Sequence, residues 1–450
     1  MTQDTITSSR LQLLNTAFIL LLSCEVPAQA GKTAILQDSC STYFDGIFEV
    51  ISQRIVERGN ESDKRSREFE TYDQELIEWI KSRFDANEFV CTPEIVGHAE
   101  ALTREIVHVN PDSFTEPIIT LVSKDPSVNA SSIGNETIIL NAGLLMAMET
   151  KEEFLFVIAH EMGHDFLDHK EEMLKYSYDQ YASKSHKEEV KEIIKKSGTK
   201  REALLNYFET LEIETKAFSQ SNEFEADSVA MVFITSMIWD PSDASAALRR
   251  IHEYEPVSPD WKALLNFENY PFQASWLQLQ ALLVEPDTLD ESRLALFSTH
   301  PHVDKRIAKL EGDYLSAGER NSSSYTLSVP LRNDLMIQSV EYLIDQERYL
   351  PALYTAMNNH NPLEPNEALC RLTGTIFHEL YTLREVHTFS DHIPPPPATI
   401  TDAYDELICI LNKMRLRDLA NTGFHFMNQY PFQSKSYNTV KTALKELLKN

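Results

Sequence analysis

Five residues, His160-Glu161-Met162-Gly163-His164, constrain this chain more than any other stretch. On a helix of 3.6 residues per turn, positions i and i+4 lie on one face, so both imidazoles can reach a single ion. Zinc held by three protein groups keeps a fourth position for water and lowers that water's pKa toward neutrality. Glu161, between the two histidines, is then placed to take the proton. Three fixed residues also arise by chance, so the flanking sequence has to decide whether a site exists.

The flanks read as elements that would position such a site. Thr150 followed by Glu153 is a capping-box pattern, which predicts a helix from there through the motif to about Leu167, with Phe154, Val157 and Ile158 on its buried face. Upstream, Ile118 to Val122 is a short β-branched run; a polar turn segment follows, then Thr137 to Leu140, so two strands meeting at a sheet edge are expected. Asn141-Ala142-Gly143 leads into a short helix over Leu144 to Met148. Residues 168 to 217 are rich in Lys and Glu and break at Ser197-Gly198-Thr199, which reads as a solvated helical hairpin covering the cleft. A second apolar helix is expected from about Asn222 to Trp239, stopped by Asp240-Pro241.

That second helix offers a third ligand. Glu223, Ala226, Asp227 and Ala230 fall at i, i+3, i+4 and i+7, an acidic stripe of small residues between apolar flanks, suited to close packing against the His160 helix. Glu223 would ligate the metal. Asp227, one turn on, would accept a hydrogen bond from the far nitrogen of a ligating histidine and fix its tautomer. The competing reading is a solvated acidic face, against which Phe224 and Val229 to Val232 stand.

Charge, cysteines and the chain's beginning bound its setting. Lys and Arg total 41 against 69 Asp and Glu, a formal charge of -28, which argues against nucleic acid and against anionic membrane surfaces. Arg10, the apolar run Leu11 to Leu22, and Ala28-Gln29-Ala30 have the order of an export signal, so residues 1–30 are expected to be removed and the protein to reach the periplasm or be secreted. A second reading takes Leu21-Leu22-Ser23-Cys24 as a lipoprotein site that anchors the chain at an acylated Cys24. No later stretch is long and apolar enough to span a bilayer. Of the five cysteines, Cys40, Cys91, Cys370 and Cys409 remain for two disulfides; proximity favours Cys40 with Cys91 and Cys370 with Cys409, while the other pairings and four free thiols stay open.

With 450 residues the chain divides into a leader (1–30), a charged helical part (31–115), a core around the motif (116–315) and a C-terminal region (316–450) in which Asn321-Ser322-Ser323-Ser324 marks a linker and the remainder is helical. Leu350 through Pro362 and Leu419 through Pro431 share a loose pattern at an offset of 69, about twice the period of a tetratricopeptide repeat, so helical pairs lining a groove are expected there. Pro394 to Pro397 interrupts them with a stiff segment.

Taken together, HEMGH, then EFEAD, with a strand and Gly143-Leu144-Leu145 before them and Ser298-Thr299-His300-Pro301 and Arg306-Ile307 after them, resemble the zinc metallopeptidase family of the CAAX-prenyl endopeptidase and its soluble bacterial periplasmic relatives. The resemblance covers roughly residues 95 to 312. It implies a mainly α fold with a small β-sheet (α+β) of the zincin type, the gluzincin class, with one Zn2+ on His160, His164 and Glu223 and with Glu161 as the catalytic residue. It also implies that Asn129-Ala130 and the strand Thr137, Ile138, Ile139 and Leu140 bind substrate backbone by strand addition. The membrane-bound members have transmembrane helices that this chain lacks, so a prenylated substrate does not carry over.

His300, before Pro301 at a helix entrance, has two functional readings: it stabilises the oxyanion of the tetrahedral intermediate, or it occupies zinc's open position and holds the enzyme idle. Capping local backbone is the bland alternative. Arg306 is expected to pair with Asp227 or to shape the pocket. His169 lies five residues past His164, off its face on a continuous helix, and reads as an outer support or as structural. The expected activity is zinc-dependent endopeptidase cleavage of extended or misfolded envelope polypeptides. The rival is a chaperone or assembly factor that grips unfolded protein with little cleavage and docks on envelope assembly machinery through its C-terminal helices.

Overall fold

The computed structural model of the chain describes residues 37–61, 67–181, 188, 190–192, 200–235, 237, 242–253, 258–278, 303–314, 325 and 327–449. Among the described residues, three helices lead in: α1 (Gln37–Glu61), α2 (Arg67–Asp85) and α3 (Pro93–Val109). Ile51 and Ile55 of α1 and Leu76 and Ile80 of α2, each pair one turn apart, pack with Leu121, Ile133 and Ile139 of the sheet that follows.

That sheet has three strands, β1 (Ile119–Ser123), β2 (Ala130–Gly134) and β3 (Thr137–Asn141), in the order β1-β3-β2. β1 runs parallel to β3 with Leu121 opposite Ile139, and β2 runs antiparallel to β3 with Ser132 opposite Ile138. Asn135 and Glu136 close the β2–β3 hairpin at φ 55° and 51°, the positive values a two-residue turn needs to match strand twist. The segment expected as a polar turn therefore contributes a strand. Ser131 and Ser132 have little strand preference of their own, and pairing with apolar β3 supplies it. This corrects the expected substrate edge: Thr137, Ile138, Ile139 and Leu140 have a strand on both sides, and their backbone groups are used in the ladder. β1 and β2 are the edge strands; β2 is the one that packs against the helix carrying the motif, and Asn129 stands just before it.

The chain continues through α4 (Ala142–Ala147) into α5 (Lys151–Phe166), the motif helix. Thr150 caps α5 as its pattern predicts: its hydroxyl accepts the Glu153 amide at 3.1 Å, and the Glu153 carboxylate accepts the Thr150 amide at 3.4 Å. After α6 (His169–Tyr181) comes α7 (Lys200–Ile234), longer than expected because no Gly or Pro interrupts residues 200 to 222. Among the described residues, the helices α8 (Ser242–Glu253), α9 (Trp261–Leu264) and α10 (Val303–Asp313) follow. Arg250 of α8 donates to the Glu153 carboxylate at 3.1 Å and so anchors α8 against α5.

Among the described residues, seven further helices form the C-terminal region: α11 (Val329–Asp345), α12 (Tyr349–Asn358), α13 (Glu367–Glu385), α14 (Phe389–His392), α15 (Ala403–Lys413), α16 (Leu416–Gln429) and α17 (Lys435–Leu447). The two stretches with a loose common pattern fall on α12 and α16, and both pack on α13. Trp261 and Trp276 join this second core, the Trp261 indole donating to the Ala403 carbonyl at 2.7 Å. Tyr325, Leu327 and Leu335 pack in the opposite sense, into the core around α5. Met146 touches both cores, and Arg348 lies 3.6 Å from Asp125 across the seam.

Cys370 and Cys409 are buried free thiols, so the expected bridge between them does not form. The leader, Cys24 and the Cys40 side chain lie outside the described residues. No helix among the described residues is long and apolar enough to cross a membrane.

Candidate metal centre

Close helix packing brings the predicted ligands together. A Cβ at Gly163 would stand 3.1 Å from the Ala226 carbonyl oxygen and 3.4 Å from its Cα, so a glycine on α5 facing an alanine on α7 lets the two backbones approach. The polar groups flank that contact: His160 and Glu223 lie one turn before it, and His164 and Asp227 directly follow it. His160 Nε2 and His164 Nε2 are 3.1 Å apart, and each is 3.5 Å from a Glu223 carboxylate oxygen. Among the described residues this is the cluster able to hold a metal, with His160 and Glu223 buried.

The donor set fits zinc. A tetrahedral ion about 2.0–2.1 Å from each ligand holds its ligand atoms roughly 3.3 Å apart, close to the spacing of these three groups. Two imidazoles and one carboxylate are also the hard-to-borderline donors that zinc takes in sites with one open position.

The outer side of the cluster is charged and compensated. Asp227 Oδ1 lies 3.0 Å from His160 Nδ1, and Arg306 of α10 clamps Asp227 with Nε at 2.8 Å and Nη2 at 2.6 Å. Arg306 Nη1 reaches Glu223 at 3.0 Å. Burial opposes charge on His160, but its hydrogen bonds to Asp227 and Glu223 outweigh burial and raise its pKa to about 10. Burial and the neighbouring His160 charge hold His164 well below its ordinary value. Asp227, although buried, is held ionised by hydrogen bonds from Arg306 and His160.

Residues 100–313 match the model of peptidase family M48. They are an M48 metallopeptidase domain. No curated protein matches the chain. The M48 domain covers every ligand and support named above and ends at the close of α10, so the C-terminal helices α11 to α17 lie outside it.

Within the M48 domain the base candidate meets the edge strand β2. Glu161 Oε2 accepts the Ser132 backbone amide of β2 at 2.6 Å. One turn further on, Asp165 Oδ2 accepts the Glu136 amide of the β2–β3 turn at 3.0 Å, so two carboxylates of α5 hold the hairpin beside the metal ligands. A cleft runs along this junction, lined by Arg58, Tyr72, Ile133, Gly134, His164 and Lys170.

The structure thus brings together His160, Glu161, His164, Glu223, Asp227 and Arg306, and sets Asn129 at the start of the edge strand β2. His300, with Ser298, Thr299 and Pro301, lies outside the described residues. Sequence reading missed Ser132, which contributes through its backbone and leaves no side-chain signature. It also left His169 without an assigned contact, although its ring nitrogen lies 2.9 Å from His164 Nδ1.

Proposed function

We propose that the chain is an exported zinc-dependent endopeptidase that cleaves extended or misfolded polypeptides in the cell envelope, with one zinc on His160, His164 and Glu223. The hydrogen bond of 2.6 Å between the Glu161 carboxylate and the Ser132 amide carries this reading, because it sets the proton-handling group against the strand on which substrate would lie. A polypeptide pairing with the open side of β2 would run past Glu161 and the metal ligands in extended form, its backbone read before its side chains. Zinc, when bound, polarises the scissile carbonyl and acidifies the attacking water. Glu161 takes the water's proton and returns it to the leaving amine. Asp227 orients His160, and Arg306 balances the carboxylates behind the site. His300 supplies either a donor to the developing oxyanion or a gate over the open position.

Export is supported by the order of basic, apolar and small residues in 1–30 and by Cys91, which is disulfide-bonded, a state kept in oxidising compartments. The test is Glu161→Gln beside wild type: zinc content unchanged at one per chain and casein cleavage lower by about 10²–10⁴-fold. A variant that cleaves normally would remove Glu161 from the reaction. One that loses cleavage but still restores the phenotype of a deletion strain would show the protein to be a binding factor. His300→Ala separates the two roles of that residue, lower activity marking the oxyanion donor and higher activity the gate.

A further inference from the structure

The two histidines of the metal cluster are supported differently. His160 turns its Nδ1 to a carboxylate, Asp227, whereas His164 turns its Nδ1 to another imidazole. His169 Nδ1 lies 2.9 Å from His164 Nδ1, and His169 is only 4% exposed. Two ring nitrogens at that distance share one hydrogen, so one donates and the other accepts. His164 Nε2 is the nitrogen that faces His160 and Glu223, at 3.1 and 3.5 Å, and it must be bare to ligate a metal. The proton of His164 then sits on Nδ1, which makes His169 Nδ1 the acceptor and places the His169 proton on Nε2. That nitrogen points toward Glu225 of α7, whose Oε2 is 3.8 Å away.

We propose that His169 is a positioning residue of the metal centre, which locks His164 into the tautomer and ring orientation that ligation needs. The inference rests on the zinc reading of the cluster. On a continuous helix the fifth residue after His164 would point well to the side. Here α5 ends at Phe166, Asp168 takes φ 56°, and α6 restarts at His169, which carries its ring back against His164. Stacking of Tyr176 on Phe218, centroids 4.5 Å apart, holds α6 on α7 and so holds His169 between His164 and Glu225. His169 is no fourth ligand, because it contacts the nitrogen of His164 that faces away from the cluster.

Zinc affinity, measured on the full chain by competition with a chromophoric chelator, tests this in wild type, His169→Gln and His169→Leu. His169→Leu, which offers no acceptor, should bind zinc about 10–100-fold more weakly. His169→Gln, whose amide oxygen can accept from His164 Nδ1, should recover most of that loss, while the metal-free melting temperatures of the two variants agree. Wild-type affinity in His169→Leu, or equal loss in both variants, would overturn the proposal. Should His169→Leu not fold, 15N NMR of zinc-loaded wild type reads the tautomers directly: a proton on His169 Nε2 and on His164 Nδ1 is expected, and the opposite placement refutes it. No zinc on the wild type would sink the metallopeptidase reading as well, whereas zinc on the wild type with an unchanged His169→Leu affinity sinks this inference alone.

Discussion

The M48 domain and the C-terminal helices bury different kinds of side chain. Around α5 and α7 the domain buries Glu152, Glu153, His160, His169, Glu223 and Asp227. Between residues 327 and 449 no Asp, Glu, Lys or Arg is buried among the described residues, and the buried polar groups are Ser339, Thr355, His360, Thr373 and Thr422. Two of these are satisfied inside their own helix: the Ser339 hydroxyl donates to the Leu335 carbonyl and that of Thr373 to Leu369, both at 2.9 Å. A neutral core is stable residue by residue, because each apolar contact adds without needing a partner of opposite sign. A charged core is stable only as a complete set, since buried ion pairs seldom outdo apolar packing. Its presence in one half is therefore explained by the chemistry of that half.

The same kind of substitution in each half should expose the difference most strongly. Arg306→Met takes the guanidinium from buried Asp227 and Glu223, leaving them two negative charges against His160 alone, and should cost roughly 3–5 kcal/mol of stability in urea unfolding. Arg371→Met, which removes a pair with Glu341 at 3.1 Å on the partly exposed face of α13, should cost under about 1 kcal/mol. Adding Asp227→Asn to Arg306→Met should return part of the loss, because the stranded charge is gone. Equal costs at the two arginines would break the contrast.

Lys124 tests the seam between the halves. Its side chain is 8% exposed and its Nζ donates to the Asn87 carbonyl at 2.7 Å. Burial pulls its pKa from 10.5 down to about 8, with Asp345 and Glu341 of α11 opposing the shift. Between pH 8 and 10.5 the unfolded chain binds the proton that the folded chain has released, so this group's contribution to stability rises with pH across that window. The rise amounts to roughly 3 kcal/mol at most. Unfolding curves of wild type and Lys124→Met at both ends of the window should diverge in that direction. A constant difference between them would mean that Lys124 titrates normally.

The residues that sequence reading placed correctly are those whose signals are local. Thr150 and Glu153 cap α5 through residues three apart, and the spacings within His160 to His164 and Glu223 to Asp227 are fixed by helix geometry. Arg306 with Asp227, 79 residues apart, is the exception: a buried carboxylate requires a cation, and the motif order of the resembling family pointed to this arginine. What escaped depends on contacts across the chain. β2 is a strand because β3 lies beside it, and nothing in Ala130 to Gly134 alone announces that. His169 meets His164 through a helix break at Asp168 that has no proline or glycine to mark it. Trp261 and Trp276 belong to the core of the C-terminal helices, although they fall inside the segment expected to surround the motif.

Paired glycine substitutions sharpen the contrast at the smallest scale. A Cβ at Gly423 would stand 2.7 Å from the Phe377 Cβ and 3.1 Å from a Leu444 methyl, so Gly423→Ala overpacks α16 against α13 and α17. Overpacking of this kind costs about 1–3 kcal/mol. Zinc affinity should not change, because the strain falls on apolar side chains remote in the fold from α5. At Gly163 the added methyl meets the Ala226 carbonyl at 3.1 Å, a milder contact that α7 can relieve by moving a few tenths of an ångström. Gly163→Ala should therefore cost less stability than Gly423→Ala yet weaken zinc binding, since the same small displacement carries Glu223 away from His160 and His164. Melting curves and zinc titrations of the two variants should rank them in opposite order. If Gly423→Ala weakened zinc binding as much as Gly163→Ala, strain would be crossing the seam at Met146 and Lys124, and the two halves would act as one.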